Sequence, residues 1–138
     1  MRCVAVGILF AVVGCIASTD QNSEAYTKCI DKAITQTAMH VCANEELQRV
    51  DVELNRVYLK LLSATRDQPD ATEKIRASQR AWITYRDAYI EAMYSEEDKQ
   101  AAYGSVFPMN VEILRAKLTR QQIAALGDLL TQYKRSRQ

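Results

Sequence analysis

Apolar residues recur at Ala43, Leu47, Val50, Leu54, Val57 and Leu61, in steps of four, three, four, three and four. That spacing keeps one side of an α-helix apolar and predicts a seam facing a partner helix. Glu45, Glu46, Arg49, Glu53, Arg56 and Lys60 occupy the polar faces. A helix is therefore expected over 36–65, with Thr35 or Thr37 as its N-cap. The run Arg66-Asp67-Gln68-Pro69-Asp70 breaks it, and Asp70 followed three residues later by Glu73 resembles a capping box. A second helix is expected over 71–94, with Ile75, Ser78, Trp82, Tyr85, Tyr89 and Ala92 or Met93 facing inward. The stretches 95–98 and 104–108 read as its outgoing connection. A third helix starts near Met109, with Val111, Leu114, Leu118, Ile123, Leu126, Leu129, Leu130 and Tyr133 as its apolar positions. Gly127 weakens it by about 1 kcal/mol relative to Ala. A short helical piece is expected over 24–33.

The fold class that follows is all-α: an antiparallel helical hairpin plus a third helix, a small bundle preceded by a signal peptide. The break at 66–69 sets the hairpin register, with Leu61 facing Ile75, Val57 facing Ser78, Leu54 facing Trp82 and Val50 facing Tyr85. This brings the Asp51/Asn55 edge near Gln79, Trp82 and Arg86 and predicts an Asp51–Arg86 ion pair, worth about 0–1 kcal/mol if exposed. Only four Gly and two Pro interrupt the chain. The sequence has no strand-like alternation and no internal repeat, and 138 residues leave room for one domain.

The first residues follow a different pattern. Arg2 precedes a run from Cys3 to Val13 without charged or amide side chains. The run is shorter than the about 20 apolar residues a bilayer span needs and has the length of a signal-peptide core, roughly 7–15 residues. Val12-Val13-Gly14-Cys15 reads as a lipobox, with Cys15 the lipidated residue. Ordinary cleavage after Ala17, giving a soluble periplasmic protein, is the alternative. The expected organisation is a lipoprotein signal peptide over 1–14, a flexible tether over 15–23, a helical domain over 24–134 and a basic tail over 135–138. The only membrane contact expected is the anchor on Cys15.

Loss of Arg2 with the signal takes the 18 Lys and Arg to 17, equal to the 17 Asp and Glu. A formally neutral chain does not suggest nucleic acid as partner. Of the four cysteines, Cys3 leaves with the signal. If Cys15 is lipidated, Cys29 and Cys42 remain, and an even remainder in an oxidising compartment implies a disulfide. A metal site from Cys29, His40 and Cys42 lacks an evident fourth ligand. No metal and no cofactor are therefore expected.

Catalysis finds little support in the residues. The single histidine, His40, has no nucleophile motif beside it. Glu45 with Glu46, and Glu96 with Glu97, read as solvated faces rather than a catalytic carboxylate pair. The chain is read as a binding module, not an enzyme. Trp82 with Tyr58, Tyr85 and Tyr89 forms either a packed core or, with Arg80 or Arg86, a surface patch, since Arg and aromatic residues are enriched at binding hot spots. The 103–108 stretch, with Tyr103 and Phe107, is a second candidate contact.

Several blocks, taken in order, resemble a known family. They are Cys29 and Cys42-Ala43 flanking Thr35-Gln36-Thr37 and Met39; Asp51, Glu53-Leu54-Asn55 and Tyr58; Ser78-Gln79-Arg80-Ala81-Trp82-Ile83 and Tyr85-Arg86-Asp87-Ala88; and Gly104-Ser105 with Leu118-Thr119-Arg120. Together these look like the family of the lysozyme inhibitor LprI, N-terminal-like domain, over about 29–126. The resemblance implies an envelope protein, often a lipoprotein, and some members inhibit lysozyme. Many members carry two further cysteines, near Tyr89 and Leu114 of this chain. Their joint absence here implies that Cys29 pairs with Cys42 and that Tyr89 packs near Leu114. The leading expectation is a cell-envelope protein-binding module with lysozyme as partner. The alternative is an accessory periplasmic interaction protein with a different partner.

Overall fold

The computed structural model describes residues 22–136, and every regular element among them is helical: α1 (Glu24–Ile30), α2 (Gln36–Ala64), α3 (Pro69–Met93), α4 (Lys99–Tyr103) and α5 (Phe107–Arg135). The signal peptide, Cys15, the tether up to Gln21 and the last two residues of the tail lie outside the described residues.

The ends of the helices follow local chemistry. Ser23 caps α1, its hydroxyl accepting from the Tyr26 N–H at 3.0 Å. Of the two threonines open for α2, Thr35 is the cap, accepting from the Ala38 N–H at 3.1 Å. The start of α3 differs from the capping-box expectation. Pro69 opens the helix behind Gln68, and Asp70 lies inside the first turn. Proline's fixed φ and missing N–H suit that first position, while the Asp70 carboxylate favours the positive end of the helix dipole. Pro108 is the second residue of α5, where a missing N–H likewise costs no intrahelical bond, and α5 begins at Phe107 rather than Met109. The connection between α3 and α5 is not all loop, because Asp98 caps the short α4 through the Ala101 N–H at 2.9 Å. Gly104 ends α4 with φ +75°, a conformation open to glycine without a Cβ penalty.

The core has two parts along α2. Leu54, Val57 and Leu61 meet Ile75 of α3 and Leu126 of α5, with Trp82, Tyr58, Ile123 and Tyr133 around them. Leu47 and Val50 pack on Ala116 of α5. The seam read from the sequence is thus buried along its whole length, from Ala43 to Leu61. Contacts at Ala116 early in α5 and at Leu126 later meet α2 in the same order, so α2 and α5 run parallel and α3 returns between their ends.

The closest backbone packing is α2 on α5 rather than α2 on α3. Ala43 and Ala116 are fully buried, as is Thr119, and small side chains let two helix backbones approach. The inward face of α3 also departs from the expected stripe. Ile75, Gln79 and Ile90 are buried, with Trp82 and Arg86 partly so, whereas Ser78, Tyr85, Tyr89 and Met93 are exposed. Gln79 is tolerated inside because the Gln122 side chain of α5 donates to it at 2.9 Å.

The turn between α2 and α3 is fastened by threonines. Thr65 is fully buried and bonds back to the Leu61 carbonyl at 3.1 Å, and the Thr72 hydroxyl donates to the Thr65 carbonyl at 2.8 Å. At the other end, Cys29 of α1 is bridged to Cys42 of α2, closing a loop of sequence separation 13. In the chain-entropy view such a loop stabilises the fold by about 3 kcal/mol. Replacing both cysteines by alanine is expected to lower unfolding stability by about that amount. Denaturant unfolding of the oxidised parent and the double variant measures it, and equal midpoints would contradict the assignment.

Candidate functional site

Because α2 is drawn toward α5, the space between α2 and α3 opens as a groove of about 450 Å³. Asp51, Asn55 and Tyr58 line it from α2, and Gln79, Trp82 and Arg86 from α3. Arg76, Arg80 and Ile83 stand along the α3 rim, and Leu54 lies beneath. The groove brings together the residues that the hairpin register set near one another: Asp51 and Asn55 on one side, Gln79, Trp82 and Arg86 on the other.

Charge in the groove divides between floor and rim. Burial raises the Asp51 carboxyl above its ordinary range, with the positive charges of Arg86 and Arg115 opposing the shift. Arg86 lies over the Trp82 ring, 5.1 Å from its centre, and pairs with Asp87 at 2.8 Å. So Asp51 and Arg86 share the groove and interact through their charges, while the guanidinium bonds go to Asp87. On the rim, Arg80 reaches Glu73 at 2.9 Å, with both side chains well exposed. Arg76 has no ion pair of this kind among the described residues.

The other candidate contacts are more self-contained. Tyr103 closes α4 and Phe107 opens α5, and both are half-buried. With Tyr94 they form a three-ring cluster, centres 5.1 to 5.8 Å apart. Lys99 fastens the same corner by donating to the Tyr94 carbonyl and pairing with Glu91 at 3.0 Å. The Tyr58–Trp82–Tyr85–Tyr89 group is divided by the fold. Tyr58 and Trp82 pack against the core, while Tyr85 and Tyr89 meet each other on the outer side of α3 at 5.9 Å.

A polar centre that the sequence pattern concealed lies at the base of α2. Glu46 is buried, not solvated. Its carboxylate accepts from the Ser23 N–H at 2.9 Å, from the Ser23 hydroxyl, from Arg49 at 3.1 Å and from Arg120 at 2.8 Å. Arg120 also reaches Asn22 at 2.9 Å. Burial alone would raise the Glu46 carboxyl, but the Ser23 and Arg49 hydrogen bonds and the Arg120 charge outweigh it and hold the group below its ordinary range. The signal for it was positional: Glu46 falls three residues after Ala43 and four before Val50, on the edge of the apolar seam.

Among the described residues, no group of three or more His, Cys, Asp or Glu is arranged to hold a metal ion, and no helix is long and apolar enough to cross a membrane.

The Glu46 centre makes stability depend on acid. A carboxyl held below its unfolded value contributes fully above that value, about 4.3 for Glu, and loses the contribution as pH falls through the folded value. Glu46→Gln is therefore expected to be destabilised at neutral pH, and the gap from the parent should narrow below about pH 4. Glu46→Ala, which leaves Arg120 without its buried partner, is expected to cost about 3 kcal/mol. Urea unfolding at a series of pH values checks both, and a pH-independent gap would refute the linkage.

Comparison with known proteins identifies the family of the chain. The family model described as lysozyme inhibitor LprI matches residues 29–126. An uncharacterized protein of Rhizobium meliloti (strain 1021) is 34% identical over 111 residues, covering 72% of this chain and 76% of that protein. No solved structure matches significantly.

Proposed function

Since the chain belongs to the lysozyme inhibitor LprI family, we propose that it is an exported protein-binding module of the cell envelope whose target is a lysozyme. The observation that carries this reading is the extent of the family match. Residues 29–126 include all of α2 and α3 and most of α5, the elements that build the bundle and its groove. In this reading Cys15 bears the lipid, residues 15–23 form the tether, and the domain acts on the periplasmic side.

Three groups that could have served catalysis are otherwise engaged. Cys29 and Cys42 are joined as a disulfide. Glu46, the most buried carboxylate, is neutralised by two arginines. What is left accessible suits recognition: exposed Arg80 beside a half-buried tryptophan, on a helix fixed at both ends. Arginine is enriched at binding hot spots, and a large ring in a rigid setting supplies contact energy at low ordering cost.

The test is a titration. The chain carrying Cys15→Ser, purified oxidised after export, is added to a c-type lysozyme in a cell-wall lysis assay. Saturable inhibition with a stoichiometric end point is expected. Arg80→Glu is expected to weaken it by about tenfold or more, as loss of a charged hot-spot contact does. A folded sample without inhibition at excess would remove lysozyme of that type as the target.

A further inference from the structure

We infer that the α2–α3 groove is a receptor for an acidic peptide segment of a protein partner, with Arg76 and Arg80 taking its carboxylates and Trp82 and Ile83 its apolar side chain. The inference deepens the proposed protein-binding role, because it names the chemistry of the partner at that site.

Three observations lead to it. The first is charge. The groove lining holds Arg76, Arg80 and Arg86 against the carboxylate of Asp51, while Glu73 and Asp87, outside the lining, pair with Arg80 and Arg86. Asp51 already faces two positive charges, those of Arg86 and Arg115, so it does not compensate the rim. The second is availability. Arg86 is committed to Asp87 and to the face of Trp82. The Arg80–Glu73 pair is exposed, with side chains 65% and 62% accessible. Such a pair is weakly held and exchanges readily for a better-placed acceptor. Arg76 has no ion pair among the described residues and lines the groove directly. The third is shape. The site is a concave channel between two helices, walled by rings and floored by Leu54, so its occupant must be convex and partly apolar. A guanidinium presents a fork of donors that matches a carboxylate in the plane. Gln79 is held by Gln122 from behind, which fixes the floor rather than leaving it to rearrange on binding.

An anionic sugar fits less well. Stacking a sugar needs an open ring face. One face of Trp82 is covered by Arg86, and the ring packs against the core cluster. A side chain laid along Ile83 and the exposed part of Trp82, with acids on either side, uses what is accessible.

The experiment is an amide-resolved NMR titration of the exported, oxidised chain carrying Cys15→Ser. The probe is a blocked tripeptide, acetyl-Glu-Leu-Glu-amide, with acetyl-Gln-Leu-Gln-amide as control. Saturable shifts are expected in α3 from Arg76 to Arg86 and in α2 from Asp51 to Tyr58 with the acidic probe, weakening as salt is raised, and none with the control. Arg76→Glu with Arg80→Glu, both on the exposed rim, is expected to reduce binding by about tenfold or more. Shifts elsewhere, equal shifts with the neutral control, or binding unaffected by the double reversal would each overturn the inference. So would an absence of shifts at millimolar probe. Muramic acid, tested in parallel, separates the sugar source: groove shifts with it and none with the peptide would also overturn the inference. Lysozyme inhibition is measured on the same samples. Peptide binding without inhibition keeps the groove and removes lysozyme as target. Inhibition that survives the double reversal keeps the target and removes the groove.

Discussion

The carboxylate of Glu46 is the point on which the N-terminal half of the domain is assembled. It draws together the start of α1 through Ser23, its own helix through Arg49, and α5 through Arg120. A buried charge is costly unless it is paired and hydrogen-bonded, and here two arginines and two Ser23 donors share it. The arrangement explains how α1 can exist. It is seven residues long with no buried residue, far shorter than the about 12–15 residues an isolated helix needs. Apolar burial contributes only in part, since Tyr26, Cys29 and Ile30 are half-buried. The Ser23–Glu46 bonds fix one end and the Cys29–Cys42 bridge the other. Covalent and polar fastening thus replaces a core that a chain of this size can hardly extend.

The same packing determines where the groove lies. With Ala43 and Ala116 at full burial, α2 and α5 come together closely. Their parallel course leaves α3 to bridge the open side through larger groups, Trp82, Arg86 and the Gln79–Gln122 pair. A helix held off by rings and guanidinium groups leaves room beside them. The groove is therefore a consequence of small residues on one helix pair and large ones on the next.

This contrast also decides how much was legible in the sequence. The α2 seam was readable because every inward position from Ala43 to Leu61 except Glu46 is apolar, and the Thr35 cap and the break near Pro69 bounded it to within a few residues. The inward face of α3 was not, because it includes Gln79 and Arg86 while Tyr85 and Tyr89 point outward. An apolar-stripe reading puts Ser78, Tyr85 and Tyr89 inward where Gln79, Arg86 and Ile90 stand, one position further along the chain in each case. Even so, the set Asp51, Asn55, Gln79, Trp82 and Arg86 came out together, since it depends on the axial register of two antiparallel helices and not on their rotation. Glu46 escaped for a related reason. A carboxylate among Asn44, Glu45 and Gln48 looks solvated, and its partners Ser23 and Arg120 are 23 and 74 residues away. No local pattern reports a pairing over that distance.

The proposed binding role draws on this uneven rigidity. Fixing a long side chain at an interface costs about 0.5–1.5 kcal/mol. Arg86 has met most of that cost within the fold, because Trp82 and Asp87 already hold it. Arg76 and Arg80 have not, so they lose freedom only when an acceptor arrives. In the proposed receptor, a floor held by packing and an exposed rim divide recognition into two parts. There the floor would set the shape that is admitted, through Trp82, Gln79 and Leu54. The rim adds charge selectivity that salt can screen, since exposed arginines act within a Debye length of about 8–10 Å. Affinity of this kind depends on how well the partner's apolar side chain fits between the helices, and the arginines govern which partners are drawn to the site.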